Sequence, residues 1–451
     1  MGSFVKSNRL KYSLLQSTLL ATFASASVSG AAFAQQVTGP AAIENRDTII
    51  ITGTRIDREG YVSSSPVLTV DAEELQRQQP IDVEEVLRDL PQFAPGNGGQ
   101  VNNGSSGTST LDLRGLTTPR TLPLIDGKRM VGFDPNGLFD VSAVPIALLK
   151  RVDVVTGGAS AVYGSDAIAG VVNFILNDDF QGAQIDGNYS FTEKGDGETD
   201  SISATIGAGF DDSRGNAVLN VSYANKEPVY QTRYPASATP GASSTTDPTA
   251  IDSAVGARTQ ISPTGALVPF YLGFNFNPQN LYQTPQTRWN ATALAKYAVT
   301  DTVEAYSRFI FQNSLSAPQI ASSGTFGFPF AIPLNNPFLT PQASAYLAAN
   351  NTVGACTNDY GAVAAPGTQC AVDVGVRWRG VAVGPRAYVF DYTTFQALVG
   401  LRGEIGGWNW DVAAAHGESS LKRQQNNDIS APRVQQAFFA CLLYTSPSPR
   451  D

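Results

Sequence analysis

The sequence predicts an α+β domain over residues 61–180, followed by an incomplete transmembrane antiparallel β-barrel over residues 181–440. Three observations carry that fold class. Strand and helix signals alternate between Ser65 and Ile175. Beyond Gln181, apolar residues recur at every second position in segment after segment, the pattern of strands with two unlike faces. The N-terminus reads as an export signal, which brings such strands to a membrane they can cross.

The export signal has all three of its parts. Lys6, Arg9 and Lys11 precede the apolar stretch Leu14 to Ala24, and Ala32-Phe33-Ala34 forms a small-x-small cleavage site, so residues 1–34 are expected to be a cleaved signal peptide. Gln16, Ser17 and Thr18 interrupt a stretch already too short for a transmembrane helix. The chain has 451 residues and a formal net charge of -9, which excludes the broad basic face that nucleic-acid binding needs.

Within the first domain, Ser65 to Val70 reads as a strand, and Asp71 as the cap of a helix from Ala72 to Gln78. Asp82 is placed to cap a second helix, in which Val83, Val86, Leu87 and Leu90 fall at helical spacing. Gln100 to Thr110 is rich in Gly, Asn and Ser and reads as an apical loop or a spacer. Then come Leu113-Arg114-Gly115-Leu116 and a strand that breaks at an Asp126-Gly127 turn before Lys128 and Arg129. From Val152 an apolar strand enters a bend at Gly157 and Gly158. A small-residue segment follows through Tyr163, Gly164, Ser165, Asp166 and Gly170 into the strand Val171 to Ile175. The bend lacks the lysine of a phosphate loop, and its glycines more simply allow a tight turn and close packing.

Taken in order from Asp47 to Ile175, these linked motifs resemble the plug domain of TonB-dependent outer-membrane receptors. The resemblance implies a plug inside a bacterial outer-membrane barrel of about twenty-two strands. It also implies import of a large or scarce nutrient, a small molecule or a glycan. The drive would be the proton-motive force, delivered by a TonB-type energy-coupling protein and its inner-membrane complex. No cofactor and no enzymatic activity are implied. The flexible leader, residues 35–60, holds Asp47-Thr48-Ile49-Ile50-Ile51. Such a β-branched run can add as an edge strand to a partner's sheet, and the resemblance makes it the TonB box; a first strand of the plug is the other reading. By the same resemblance Arg114 and Arg151 are candidates to pair with acids on the barrel wall, although either could be a surface arginine in a polar cavity. Glu304 is a candidate wall acid. A passive plugged porin or an outer-membrane adhesin is the alternative function. Loss of uptake on removing Asp47 to Ile51 separates the two.

About seven barrel strands can be read by alternation, among them Ile202 to Phe210, Leu219 to Tyr223, Trp289 to Tyr297, Val303 to Phe311 and Phe395 to Leu401. Short turns at Asp211-Asp212 and Gly406-Gly407 alternate with long connections, Val229 to Pro285 and Ser314 to Asp391, as in outer-membrane barrels. Cys356 and Cys370 flank a polar loop of an exported chain, which favours a disulfide over free thiols. Metal binding competes, but the one histidine, His416, lies far off in sequence. His416 also leaves no evident nucleophilic triad. Asp178-Asp179 reads as a solvated junction rather than a cation site.

Residues 441–451 follow none of these patterns. Back-translated, they resemble a transposase adapter used in sequencing libraries, so the protein is expected to continue past Ala440. An open sheet edge in lipid would leave backbone groups unsatisfied, which supports the same expectation.

Overall fold

The computed structural model describes residues 66–438, apart from 79, 97, 102–106, 135, 239–241 and 355–369. The export signal, the leader with Asp47 to Ile51, Cys356 and the 441–451 tail lie outside the described residues.

The first domain is a mixed sheet with helices. Strand β1 (Val67–Asp71) runs straight into helix α1 (Ala72–Gln78), and α2 (Val83–Arg88) follows. Then come β2 (Thr121–Ile125), β3 (Lys128–Arg129), β4 (Leu149–Thr156) and β5 (Gly170–Leu176). The sheet order is β1-β4-β5-β2-β3. β2 and β5 run parallel, and the other pairs antiparallel. Strands β2 and β5 bury Leu122, Leu124, Ile125, Val171, Val172 and Phe174, the near-continuous apolar run expected where both faces are covered. Helix α2 turns Val83, Val86 and Leu87 into one core with Ile125, Val172 and Phe174.

Two tight features hold this sheet in shape. Asp126 (φ 50°) and Gly127 (φ 70°) form the β2–β3 hairpin turn, both left-handed as a two-residue hairpin requires. At Gly170 (φ 150°) a Cβ would lie 2.2 Å from the Val155 carbonyl oxygen, so only glycine lets β5 start against β4.

The wall is a meander of seven long antiparallel strands: β6 (Gly182–Ser190), β7 (Thr199–Phe210), β8 (Gly215–Lys226), β9 (Gln286–Thr300), β10 (Val303–Ser316), then β12 (Pro385–Ile405) and β13 (Trp408–Asn426). A short β11 (Gln319–Ser322) continues β10 along β12. Among the described residues the sheet does not close: β6 and β13 are its edges. The α+β plug and incomplete antiparallel barrel of the sequence reading are therefore both present.

Alternation sorts the wall into two faces. Arg288, Asn290, Thr292 and Leu294 of β9 are buried against the plug, whereas Trp289 is exposed on the opposite face. Register carries that parity to Phe309 on β10 and to Val399 and Leu401 on β12. From Trp289 to Tyr297 the strand rises about 27 Å, or about 20 Å along the membrane normal at a tilt of about 40°. One end of the wall carries short turns, at Asp211 to Ser213 and at Gly406-Gly407, all at positive φ. At the other end the long connections fold rather than wander. They form a five-stranded sheet that includes Ala250–Asp252, Phe328–Pro333 and Ala371–Arg377, with its own core of Ile251, Phe330, Leu347 and Val374.

Candidate functional site between plug and wall

The plug is apolar inside and polar outside, and its polar side meets the wall. Asp82 occupies the N-cap position of α2 with extended backbone, yet its side chain makes no capping bond. Glu85 instead accepts the Ile81 amide at 3.2 Å. The Asp82 carboxylate turns outward and accepts from Arg288 and, at 3.1 Å, from the Lys226 ammonium. Glu85 also accepts from Lys226, and Arg288 donates to the Ile81 carbonyl at 2.7 Å. Lys226 and Arg288 stand on β8 and β9 at the long-loop end of the wall, facing the plug. The cluster is dry: the side chains of Asp82, Arg288 and Lys226 are 1%, 4% and 6% exposed.

Charge in this cluster is arranged against burial. Burial alone would raise the Asp82 carboxyl, but the Arg288 and Lys226 cations outweigh it and hold it below the usual carboxylate range. Glu84 lies beside it, 3.3 Å from Arg88. There burial wins over Arg88, and with the Asp82 and Glu85 charges adding, the Glu84 carboxyl is pushed up to about 7.

Further along the interface the wall goes on donating and the plug accepting. Gln286 donates to the Gly107 carbonyl at 3.2 Å, Asn290 to the Ser142 carbonyl at 3.2 Å, and Gln396 to the Arg129 carbonyl at 3.0 Å. Gln312 donates to the Ser142 hydroxyl at 2.6 Å. Asp140 holds that plug loop together by accepting the Ser109 and Ser142 amides, each at 3.0 Å. Arg308 donates to the Ile125 carbonyl at 2.8 Å and to Asp126 at 2.9 Å. At the short-turn end Lys296 pairs with Asp178 at 3.1 Å and with Asp179, while Arg402 bonds Glu304 at 2.7 Å and lies 3.8 Å from Asp178. Lys128 is the exception, a plug base that reaches the wall acid Asp411 at 2.8 Å.

The expected polarity of the interface is thus largely reversed. Arg151 pairs at 3.2 Å with Asp153, its neighbour on β4, and Arg114 is exposed at φ 60°. Among the described residues neither arginine pairs with a wall acid. Arg151 is kept home because Asp153 lies two residues along the same face of the strand. Arg114 sits in a turn that aims it away. Glu304 does face inward, but a wall arginine takes it. Asp178 and Asp179 are neither free nor a cation site; they tie the exit of the plug to Lys296.

The remaining sequence candidates are turns. Gly115 (φ 67°), Gly157 (φ 124°) and Gly164 (φ 96°) adopt backbone that favours glycine, while Gly158 does not need it. The Tyr163 carbonyl accepts from Arg129 at 2.7 Å, pinning the 160–167 loop to β3. Cys370 is disulfide-bonded. The residues missed by sequence reasoning, Asp82, Lys226, Arg288, Lys296 and Arg308, carried a usable signal. The bases are charges at plug-facing positions of alternating strands, costly unless paired.

Residues 61–171 match the family model described as TonB-dependent Receptor Plug Domain. Solved structures similar to this chain include a ferric enterobactin receptor of Pseudomonas aeruginosa in complex with enterobactin, 14% identical with a TM-score of 0.42, covering 80% of this chain and 50% of that one. The ferric preacinetobactin receptor of Acinetobacter baumannii is 12% identical with a TM-score of 0.41, covering 82% and 49%. A siderophore receptor of Acinetobacter baumannii is 15% identical with a TM-score of 0.39, covering 80% and 44%. The chain spans about half the length of these structures.

Proposed function

We propose that this chain belongs to a TonB-dependent receptor, a reading supported by the plug-domain match at residues 61–171, and that the receptor imports a large or scarce nutrient across the bacterial outer membrane. The observation that carries this reading is the contrast between a cohesive plug and its polar seat. The plug has its own apolar core, with Leu87, Leu113, Leu148 and Phe174 fully buried, and the wall adds only Val218, Leu294 and Ile310 to it. The rest of the contact that the plug makes with the wall is through ion pairs and hydrogen bonds. Groups of that kind can exchange partners with water when the plug shifts, whereas an apolar interface would resist wetting. The plug can therefore be displaced without losing its fold.

Displacement still needs work, because each buried charge must leave its partner before water can replace it. In this reading the Asp47 to Ile51 segment is the handle. It pairs as an added strand with a TonB-type energy-coupling protein, whose inner-membrane complex draws on the proton-motive force. The wall faces outer-membrane lipid through its exposed stripe, and the ligand, a small molecule or glycan, binds above the plug. Cys356 is the partner we assign to Cys370, closing the loop between them. Mass spectrometry of non-reduced peptides should recover the two joined, and two alkylatable thiols would refute the pairing. The test of import is deletion of residues 47–51 in the full-length receptor. Ligand binding to cells should persist while energised uptake stops; uptake that survives would favour the passive porin.

A further inference from the structure

The outer connections fold into a sheet, and the edges of that sheet are closed residue by residue. Its order puts the strand Phe328–Pro333 at one edge and Leu267–Pro269 at the other. In an antiparallel pair, alternate residues turn their amides to the partner strand and the rest turn theirs away. Leu334 donates to the Cys370 carbonyl at 2.9 Å, and Ile332 and Phe330 follow it in register with Val372 and Val374. Pro329, Ala331 and Pro333 are therefore the residues whose backbone faces the free edge. Two of the three have no amide to offer. At the other edge Phe270 donates to the Arg258 carbonyl at 3.1 Å, which turns Leu267 and Pro269 outward, and again one of them has no amide.

The one amide left among Pro329, Ala331 and Pro333 is covered from outside the sheet. The helix Ala431–Phe438 follows β13 and lies against this strand. Gln435 donates to the Ala331 carbonyl at 2.8 Å and accepts the Ala331 amide at 3.0 Å. Its carboxamide is planar, with a donor and an acceptor side by side, so it stands where the peptide unit of a neighbouring strand would be. Other contacts pin the helix around it. Val434 and Phe438 pack on the core of the sheet, the Phe438 ring lies 5.7 Å from Phe330, and Asn336 donates to the Phe438 carbonyl at 2.7 Å. Ala331 is left 4% exposed.

An edge strand is a template for another strand unless charge, proline, a bulge or a covering element prevents it. Phe328-Pro329-Phe330-Ala331-Ile332-Pro333 carries no charge and two aromatic rings. Apart from its prolines it has the composition of a strand that pairs readily when bared. We propose that Gln435 and its helix guard this edge, blocking strand-to-strand association between the outer sheets of two copies of this chain. The guard consists of one side-chain amide over Ala331 and the two flanking prolines. What it excludes is the same edge of a second copy. Receptors in one membrane hold their outer sheets at one height, and two such strands set antiparallel about a two-fold axis would present each other with matching apolar side chains and free backbone groups. This guarding is independent of what the receptor carries.

The test is the mass of the full-length receptor, purified from outer membranes in detergent and followed by light scattering over a range of concentrations. The parent sets the baseline. Gln435→Ala frees the Ala331 amide and should shift the chain toward dimer. Adding Pro329→Val and Pro333→Val restores two further amides, and association should tighten at least about tenfold over Gln435→Ala alone. Ala331→Pro added to Gln435→Ala removes the last amide from this edge and should return the mass to that of the parent, although the helix still lacks its amide contact. That variant separates a bared edge from apolar surface uncovered by a loosened helix. Heat-modifiable migration shows that the barrel of each variant is folded, and parental amide exchange in Ala371–Arg377 shows that the outer sheet is intact. A triple variant with the mass of the parent would overturn the guard. So would Gln435→Ala with Ala331→Pro associating as strongly as Gln435→Ala, because the seam would then lie elsewhere than at the edge.

Discussion

Among the ion pairs that join the plug to the wall, the sets at the two ends differ in kind. At the long-loop end Asp82, Arg288 and Lys226 are nearly sealed from water. At the short-turn end Lys296 is 17% exposed, Asp178 39% and Asp179 70%. The sealed set has no water to replace a lost partner, so removing one member strands a charge. The open set is screened by solvent and salt. Counting bridges would rank the two ends alike, whereas their dryness ranks them far apart. The plug is expected to be gripped at the long-loop end and only steered at the other.

The comparison matters for transport only if something pulls. The largest expected effect is therefore on the handle itself. Proline at Ile50 removes a backbone donor from the segment that would pair with the coupling protein, and energised uptake should fall to background. A pull-down with the periplasmic coupling domain checks it directly. Unchanged capture of the proline variant would leave the grip without an opponent and remove its proposed purpose.

Next in size is the sealed set. Asp82→Asn leaves the buried Arg288 without a counter-charge, while Lys226 keeps only the half-buried Glu85, and should cost about 3–5 kcal/mol in the anchoring of the plug. Amide exchange of α2 in the full-length receptor reads this as lost protection. Because the two wall bases share one acid, Asp82→Asn combined with Lys226→Met should be milder than the sum of the two. Strict additivity would break the picture of a single dry cluster.

How much of this was legible in the sequence follows from the range of each interaction. Local and periodic signals were readable: the spacing of Val83, Val86 and Leu87, the Asp126-Gly127 turn, the glycine at position 170, the alternation from Trp289 to Tyr297. Asp82 misled for the same reason that it informed. A short acid before a helix has a complete local explanation as a cap, and nothing nearby in sequence announces Arg288. Arg114 and Arg151 came from resemblance alone, and Asp153, two residues from Arg151, already offered a local partner. The folded outer loops were read as plain connections. Their strands are short, and their partners lie more than a hundred residues away, as where Ala250 pairs with Arg377. Chain topology, not local pattern, decides such contacts.

Glu84 sharpens the comparison through pH. Its carboxyl is raised from 4.5 to about 7 in the folded protein, so the folded state holds the proton more tightly than the unfolded one. The stability it contributes is fully present below about pH 4.5 and is lost as the pH rises through about 7. By pH 8 the loss should approach about 3 kcal/mol, and Glu84→Gln should abolish it. Protection of α2 should therefore fall between about pH 4.5 and 7 in the parent and stay flat in the glutamine variant. A flat profile in both would mean that water reaches Glu84, and that the long-loop end is not dry after all.

The smallest effect is expected at the open end, and for that reason it is the sharpest check. Lys296→Met removes a base that bridges Asp178 and Asp179, yet both acids remain wet and can be solvated in its absence. Arg402, 3.8 Å from Asp178, also stays behind as a partial substitute. The cost should be under about 1 kcal/mol and should shrink further in high salt. The same measurement on Asp82→Asn should hardly respond to salt, because counter-ions do not reach it. Both variants alter one charge at the plug–wall interface, so their difference isolates burial from charge. If Lys296→Met loosened the plug as much as Asp82→Asn, at every ionic strength, exposure would not be what separates the two ends. The junction at Asp178-Asp179 would then have to act as a structural hinge in its own right.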